Sequence, residues 1–406
     1  MLRRTAGFLG RNLGVLDWIA VALLAAGLAF TATGLLPSGE ASATVRRILP
    51  ILLFLATILV LAELTATAGV FDFAARRLAI AARGNFALLF ACCVAFAAVT
   101  TIGLNLDTTA VLLTPVMLAL ARTLREPGTD EPVPALPLAM CTVWLANTAS
   151  LLLPVSNLTN LLAQGRVGLS PAGFATRMGP AQAAALAVTA VLLWAFYWRR
   201  GRRGARRYEP PVPYLAPDRW LFRIAAAACL FFIAALLGGV ELGVASAIAA
   251  AAVAAAFAIR DRTALRWSLI PWRLPVFVTG LFLVVQTISL HLQGPLTAMV
   301  SSSGGALGTF RAAGAGALLA NVLNNLPAYV AGEAVIPGPN HTQLLGLLIG
   351  VNVGPVITPW ASLATLLWYE RCVSSGVAIP LRRFMATSAC LAVAGMAASV
   401  AALLWL

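Results

Sequence analysis

The sequence predicts an all-α polytopic membrane protein that is built from two inverted repeats. Hydrophobic residues make up 61% of the 406-residue chain and charged residues only 10%, whereas a soluble domain has about 25% charged residues. Eleven apolar segments follow one another, and most approach the roughly 20 residues that a membrane helix needs. Four of them are interrupted by polar residues, and these interruptions occur in both halves of the chain.

The charged residues exclude several classes of function. All 28 basic residues are arginine, against 14 acidic residues. A nucleic-acid-binding protein presents a basic polar face rather than repeated apolar segments, so we expect no nucleic-acid partner. The six cysteines and two histidines have no ligand spacing, so we expect no metal and no cofactor. A membrane-embedded enzyme is a remote alternative, because no nucleophile and base are paired in the apolar segments.

The apolar segments divide into ordinary spans and interrupted ones. The first contains 19 residues from Trp18 to Leu36, which is longer than the about 7 to 15 apolar residues of a cleavable signal peptide, so we interpret it as a retained helix. In chain order the segments are 14–36, 48–70, 85–121, 137–165, 180–198, 221–237, 240–259, 274–291, 306–336, 342–370 and 384–406.

Two of the interrupted segments predict re-entrant helical hairpins. An unbroken helix over 85–121 would be about 55 Å long, nearly twice the hydrocarbon thickness of a bilayer. The phrase GLNLDTT around Asn105 interrupts it. In 306–336 the phrase NVLNNLP around Asn324 lies between arms of about 15 and 9 residues, which are short for a crossing. We therefore expect both segments to fold back at mid-membrane.

The other two interrupted segments predict broken helices, 137–165 and 342–370. An alignment of Asn147 with Asn352 places Asn157 opposite Ser362, at an offset of 205 residues. Paired interruptions in the two halves of a membrane protein indicate a secondary transporter that is built from repeats.

The arginines predict the topology. Nine full spans and two hairpins, beginning inside, place 23 of the 28 arginines on one side, as the positive-inside rule requires. The N-terminus and the Arg-rich linker are then cytoplasmic and the C-terminus is outside. An odd number of spans separates the hairpins, so the repeats are inverted. The predicted domains are a first membrane repeat at 1–198, a basic linker at 199–220 and a second repeat at 221–406.

The four interruptions supply the candidate substrate site. Unwound backbone at mid-membrane must be buried in protein or line a wet cavity, and half-helix ends carry partial charges. A site of amides and hydroxyls favours a small polar, neutral or anionic solute over a bare divalent cation, although a single Ser or Thr commonly bonds only to its own helix. The candidate substrate-binding residues are Asn105, Thr108, Thr109, Asn147, Ser156, Asn157, Asn324, Asn325, Asn352, Thr358 and Ser362.

Three carboxylates lie within apolar segments and are candidates for proton coupling: Asp107, Glu63 and Glu333. Each ionised carboxylate costs about 2.5 to 3.5 kcal/mol at the bilayer centre unless it has a partner, water or a proton. Asp107 lies at the first hairpin tip, where it can alternatively cap the returning helix. Glu63 and Glu333 can alternatively be interhelical hydrogen-bond anchors or lie at an interface.

Four phrases carry a resemblance to a known family: LNLDTTAVLLTPVMLAL, ANTASLLLPVSNLTNLL, LLANVLNNLPAYV and GVNVGPVITPWASLATLLW. Through them the chain resembles the arsenite permease (ArsB) and NhaD-type branch of the ion transporter superfamily, over nearly its whole length. Related branches move dicarboxylates, citrate, sulfate or sodium. Another small anion, a carboxylate or a sodium ion is therefore the alternative substrate.

The resemblance implies a prokaryotic inner-membrane secondary transporter with a scaffold part and a transport part, the latter holding the hairpins and broken helices. It implies export of arsenite or antimonite by proton antiport. Relatives often form homodimers, and some couple to a separate soluble ATPase. Many arsenite permeases carry an acidic residue where Asn352 stands in this sequence, which would leave more of the coupling to Asp107.

Overall fold

The computed structural model describes residues 15–124, 133–199, 207–266, 269–270, 272–291, 293–300 and 305–405. The predictions for the N-terminal arginines and for residues 200–206 of the Arg-rich linker fall outside these residues. The described chain is helical, and its β-structure is an isolated bridge between Asn85 and Arg207. The predicted all-α class is confirmed.

The described residues of the first half form the α-helices α1 (Val15–Ala32), α2 (Ser38–Thr67), α3 (Val70–Ala81), α4 (Phe86–Gly103), α5 (Leu106–Thr123), α6 (Ala135–Thr148), α7 (Leu158–Val167) and α8 (Pro171–Leu193). A 3₁₀ turn at Pro154–Ser156 precedes α7, and a π-helical turn at Trp194–Trp198 continues α8.

In the part of the second half that the structure describes, the helices are α9 (Arg219–Leu237), α10 (Leu242–Arg260), α11 (Arg273–His291), α12 (Gln293–Val300), α13 (Gly305–Leu323), α14 (Asn325–Glu333), α15 (His341–Val353), α16 (Leu363–Ser374) and α17 (Leu381–Leu404). Further 3₁₀ turns lie at Arg262–Ala264 and Gly354–Val356.

Length and hydropathy agree with a protein that crosses the membrane several times. Among the described residues six helical stretches are long and apolar enough to cross, in α4, α5, α8, α10, α13 and α17, and α2 is a seventh if its two bent parts form one span. Helix length alone does not distinguish a crossing from a re-entrant arm, so the nine full spans and the inverted repeats remain predictions.

The helices pack in two groups. The scaffold group contains α1, α2, α9, α10 and α11, in which α1 packs on α11 and α2 packs on α10. Pro50 lies at a 41° bend of α2, because proline removes a helical hydrogen bond and its ring clashes with the preceding turn. The hairpin group contains α4–α8 and α13–α17, and the short helices α3 and α12 lead from the scaffold group into it.

The structure has all four predicted interruptions. Helices α4 and α5 are separated by two residues, and α13 and α14 by Asn324 alone. The nine-residue α14 agrees with the predicted arm in length, whereas α13 has 19 residues because the helix begins one residue earlier, at Gly305, and continues three residues further, to Leu323. The predicted 15 residues were too few. Nine residues separate the halves of each broken helix, and α7 and α16 begin at Leu158 and Leu363, which are 205 residues apart.

Helices α13 and α15 pack along a glycine seam. Gly346 and Gly350 on α15 and Gly354, directly after it, recur every fourth residue, and a Cβ on Gly350 would collide with the carbonyl oxygen of Ala313. Small residues let helix backbones approach closely inside a membrane, where packing replaces the hydrophobic effect as the main attraction. The seam therefore positions the second broken helix against the second hairpin.

Residues 207–218, which we call the strap, connect the two groups. The Tyr208 hydroxyl donates to the Ala79 carbonyl at 2.6 Å, and Arg76 donates to the Val212 carbonyl at 3.0 Å. Asp218 caps α9 and accepts a hydrogen bond from Arg260 at 2.9 Å. This hydrogen bond lowers the pKa of the Asp218 carboxyl. The strap thus lies across α3 and the start of α4 and ends on the scaffold group.

We expect Gly350→Ala to destabilise the protein by about 1 to 3 kcal/mol, because the added methyl group forces α13 and α15 apart. Gly314→Ala on α13 is the matched control, since its Cβ meets no atom within 4 Å. The apparent melting temperature in detergent measures both changes. Equal melting temperatures for the two variants would contradict the close approach at Gly350.

Candidate substrate site

The second halves of both broken helices begin with equivalent caps. The Asn157 side chain accepts a hydrogen bond from the Thr159 amide at 3.2 Å, and the Ser362 hydroxyl accepts one from the Thr365 amide at 3.1 Å. Such caps satisfy backbone donors that lie outside the helical pattern. Asn157 and Ser362, which the sequence aligned, therefore have the same role in the two halves.

The hydrogen bonds that join the broken helices to each other include a pair that the repeat relates. At the end of α6 the Asn147 amide donates to the Thr365 hydroxyl at 3.1 Å, and at the end of α15 the Asn352 amide donates to Asn160 at 2.7 Å. An offset of 205 relates Asn147 to Asn352 and Asn160 to Thr365. Each first half-helix therefore contacts the first turn of the other repeat's second half-helix, as two-fold related units would.

Asn352 has the larger set of partners. Its side-chain oxygen accepts from the Asn157 amide and from the Thr159 hydroxyl, both at 2.8 Å. Its amide donates to Asn160, which in turn donates to the carbonyl oxygens of Ser150 and Leu153. This network of buried amides holds the unwound backbone of the first broken helix, where lipid could not replace the hydrogen bonds.

Each hairpin tip is bound to its own broken helix. The Ser156 hydroxyl donates to the Ile102 carbonyl at 2.7 Å in the first half. In the second half the Asn324 amide donates to the Trp360 carbonyl at 2.9 Å. Asn324 has a φ of 94° and a ψ of 152°, a backbone conformation that residues other than glycine rarely adopt.

The same contact region contains Asn321, which the sequence prediction missed. Its side-chain oxygen accepts a hydrogen bond from the Thr358 amide, and its side-chain amide donates to the Gly354 carbonyl at 2.9 Å. Its position in the phrase NVLNNLP, three residues before Asn324, could have identified it as a candidate. Thr358 therefore lies near the cavity, and its hydrogen bond to Asn321 connects the second broken helix to the second hairpin.

A cavity of about 500 Å³ lies between the scaffold group and the interruptions. Its inner wall holds five of the predicted residues, from both hairpin tips and the first broken helix: Asn105, Asp107, Asn157, Asn324 and Asn325.

The scaffold side of the cavity is largely apolar and was not predicted. It includes Phe54, Phe277 and Phe282. Arg47 and Glu241 also line the cavity and are exposed, whereas the asparagines at the tips are buried. The mouth therefore lies on the face of Arg47 and Glu241, and the floor lies at the interruptions. Sequence periodicity does not distinguish these phenylalanines from lipid-facing ones.

Asp107 is the second residue of α5 and lines the cavity. Among the residues that the structure describes, none forms an ion pair or a hydrogen bond with its carboxylate. The neighbouring Asn105 supplies the side-chain cap of α5 by accepting from the Thr108 amide at 2.7 Å. The Asp107 carboxylate therefore remains free for a proton or a solute, and the N-terminal end of α5 favours its negative charge.

Several predicted substrate residues lie behind the cavity wall rather than in it. Thr109 donates to the Asn105 carbonyl, so it supports the tip. The Thr108 hydroxyl and the Asn147 side-chain oxygen are buried and have no hydrogen-bond partner in the described part of the chain. The residues outside the cavity lining are Thr108, Thr109, Asn147, Ser156, Asn352, Thr358 and Ser362.

Glu63 and Glu333 are not brought together with Asp107. Glu63 is half-exposed and forms an ion pair with Arg371 at 2.7 Å. Glu333 ends α14 and lies 3.9 Å from Arg166. Both carboxylates have a cationic partner on another helix, and a role for either of them in proton coupling stays a prediction.

Comparison with known proteins places this geometry in a family. Residues 11–365 match the citrate transporter family, CitMHS. The chain belongs to this family. An arsenical pump membrane protein from Escherichia coli is 29% identical over 340 residues, 77% of this chain and 76% of the relative. One from Yersinia enterocolitica is 29% identical over 338 residues, with the same shares.

A solved structure supports the fold independently. The YdaH transporter of Alcanivorax borkumensis is similar with a TM-score of 0.50 over 96% of both chains, at 11% sequence identity. The resemblance to arsenite permeases is confirmed by the relatives, and the all-α membrane fold by the structures. The protein is a multi-pass membrane transporter.

We expect Asn352→Ala to lower stability by about 2 kcal/mol, because three side-chain hydrogen bonds are lost at roughly 0.6 kcal/mol each inside a membrane. The repeat-equivalent Asn147→Ala is the matched control. Its side-chain oxygen has no described partner, so the loss should be about half as large. Thermal unfolding in detergent gives both values, and a larger loss for Asn147→Ala would contradict the asymmetry of the two amide networks.

Proposed function

We propose that the protein exports arsenite or antimonite in exchange for protons. The observation that carries this proposal is the carboxylate of Asp107, which has no partner among the described residues, in a cavity whose other inner polar groups are the amides of Asn105, Asn157, Asn324 and Asn325. Arsenite is a neutral hydroxylated solute at neutral pH, and side-chain amides can both donate to and accept from its hydroxyl groups.

The charge of the cavity argues against citrate as the substrate. Its lining carries the carboxylates of Asp107 and Glu241 and one arginine, Arg47, at the mouth. A polycarboxylate that leaves water needs several cationic or bidentate partners, and the described floor offers amides and a carboxylate. A neutral solute avoids this cost. The names of the arsenical pump relatives support the same choice.

The position of Asp107 suggests how exchange occurs. In this conformation Asp107 lines a cavity whose mouth lies at Arg47, on the side that the arginine distribution predicts to be outside. A proton that enters from outside neutralises Asp107, which lowers the cost of moving it through the bilayer region. Movement of the hairpin group against the scaffold group then exposes Asp107 to the cytoplasm, where proton release and solute binding complete the cycle.

Sodium coupling is the second candidate, because carboxylate and amide oxygens also bind hard cations. Four statements remain predictions from the sequence and the resemblance: the cytoplasmic N-terminus, the inner-membrane location, the homodimer and the soluble ATPase partner.

Transport into inverted vesicles tests the proposed substrate. The vesicles are offered arsenite, antimonite, citrate or sulfate under separate pH and sodium gradients. Accumulation of citrate but not arsenite would contradict the proposal.

We expect Asp107→Asn to abolish transport that a pH gradient drives, because an amide cannot exchange a proton. Exchange of labelled for unlabelled arsenite without a gradient should persist. Asp218→Asn in the strap is the control, since Asp218 lies outside the cavity. Flux in inverted vesicles measures both, and an unchanged response of Asp107→Asn to the pH gradient would rule out Asp107 as the coupling residue.

Asn157 and Ser362 provide a second test of the site. Both side chains cap a half-helix, so each alanine variant should lose about 1 kcal/mol of stability. Only Asn157 lines the cavity, so only Asn157→Ala should also weaken arsenite binding, by up to about tenfold for one hydrogen bond. Calorimetric titration of purified protein measures the affinity. An equal loss of affinity in Ser362→Ala would contradict this placement of the site.

A further inference from the structure

An ion pair joins the hairpin group to the scaffold group away from the cavity. Arg371, in the last turn of α16, donates to the Glu63 carboxylate at 2.7 Å and to the Leu59 carbonyl at 3.3 Å, and both acceptors lie on α2. The Arg371 side chain is 15% exposed. It therefore forms a partly buried contact between two helices that must separate if the groups move against each other.

This contact lies on the face opposite the cavity mouth. Arg47 at the mouth and Glu63 lie on the same helix, 16 residues apart, which is about 24 Å of helix. The two groups are thus separated by a cavity at one end of α2 and joined by the ion pair toward the other end. A transporter that is open to one side must be closed on the other side, and the ion pair lies on the closed side.

The repeat contains an equivalent arginine in a different contact. Arg166 on α7 and Arg371 on α16 are 205 residues apart, the offset that relates the two broken helices. Arg166 lies 3.9 Å from Glu333 on α14, inside the hairpin group. In this conformation Arg371 therefore contacts the scaffold group, whereas its equivalent on the first broken helix pairs within its own group.

We propose that Arg371 and Glu63 form a latch that holds the present conformation, with the cavity mouth open and the opposite face closed. Release of the latch lets the hairpin group move and opens the cavity to the opposite face. Glu63 then acts as a positioning residue for the conformational equilibrium, and proton exchange is left to Asp107. The inference rests on the proposed function only in requiring that the cavity be accessible from each side in turn.

Cysteine accessibility tests the latch without any solute. Val155 lines the cavity and is 45% exposed, so Val155→Cys reports whether water reaches the site. A membrane-impermeant maleimide is applied to inverted vesicles, and the labelled fraction is followed by mass spectrometry. The parental chain with its six native cysteines supplies the background. Because no solute is present, the result does not depend on whether arsenite is the substrate.

We expect Glu63→Gln to raise the labelling rate from the cytoplasmic face about threefold to fivefold, as loss of a partly exposed ion pair would allow. Labelling from the outer face should fall or stay constant. The charge exchange Glu63→Arg with Arg371→Glu should return the rate toward that of the parent. Arg166→Gln is the matched control, because Arg166 pairs within the hairpin group, and its rate should remain unchanged.

Two results would overturn the latch. One is an unchanged cytoplasmic labelling rate in Glu63→Gln protein whose melting temperature is native. The other is an equal rise in Arg166→Gln, which would mean that loss of any arginine pair loosens the protein. An increase in Glu63→Gln with no arsenite transport in any vesicle would retain the latch and reject the proposed substrate.

Discussion

The fold depends on the need to satisfy backbone hydrogen bonds where helices are interrupted inside a membrane. Nine residues of each broken helix leave the helical pattern, and no lipid group can bond to their amides and carbonyls. Side-chain amides meet this need: Asn157 caps α7, Asn160 binds two carbonyls of the first interruption, and Asn352 connects both. The cavity floor exists because these side chains hold the unwound segments open to it.

The two halves of the chain satisfy these backbone and side-chain hydrogen bonds to different extents. Asn352 accepts two hydrogen bonds and donates one, whereas its equivalent Asn147 is left with a buried oxygen that has no described partner. The hairpin tips differ as well, since the offset of 219 that relates Asn105 to Asn324 places Leu326 opposite Asp107. A titratable group thus occurs at one tip and an apolar group at the other. Both residues line the same cavity, so the two equivalent hairpin tips contribute side chains of different chemistry to it.

The apolar scaffold wall of the cavity also affects which solutes can bind. Phe54, Phe277 and Phe282 face the amide-rich tips across the cavity, so a solute meets hydrogen-bonding groups on one side and hydrocarbon on the other. Such a surface places a smaller desolvation cost on a neutral hydroxylated molecule than on a polyanion. It also gives the hairpin group an apolar surface against which it can move without leaving polar groups unpaired.

The sequence by itself determined the membrane class, the four interruptions, the offset of 205 and the place of Asp107 beside the first interruption, because apolar length and polar exceptions are local properties. The family phrases added the transporter identity. Only the tertiary structure decided which candidates meet: it brought Asn105, Asp107 and Asn157 into one cavity and placed Glu63 in an ion pair with Arg371 on another face. These contacts join residues far apart in the chain, and the packing of two helix groups creates them, so no local pattern could have predicted them.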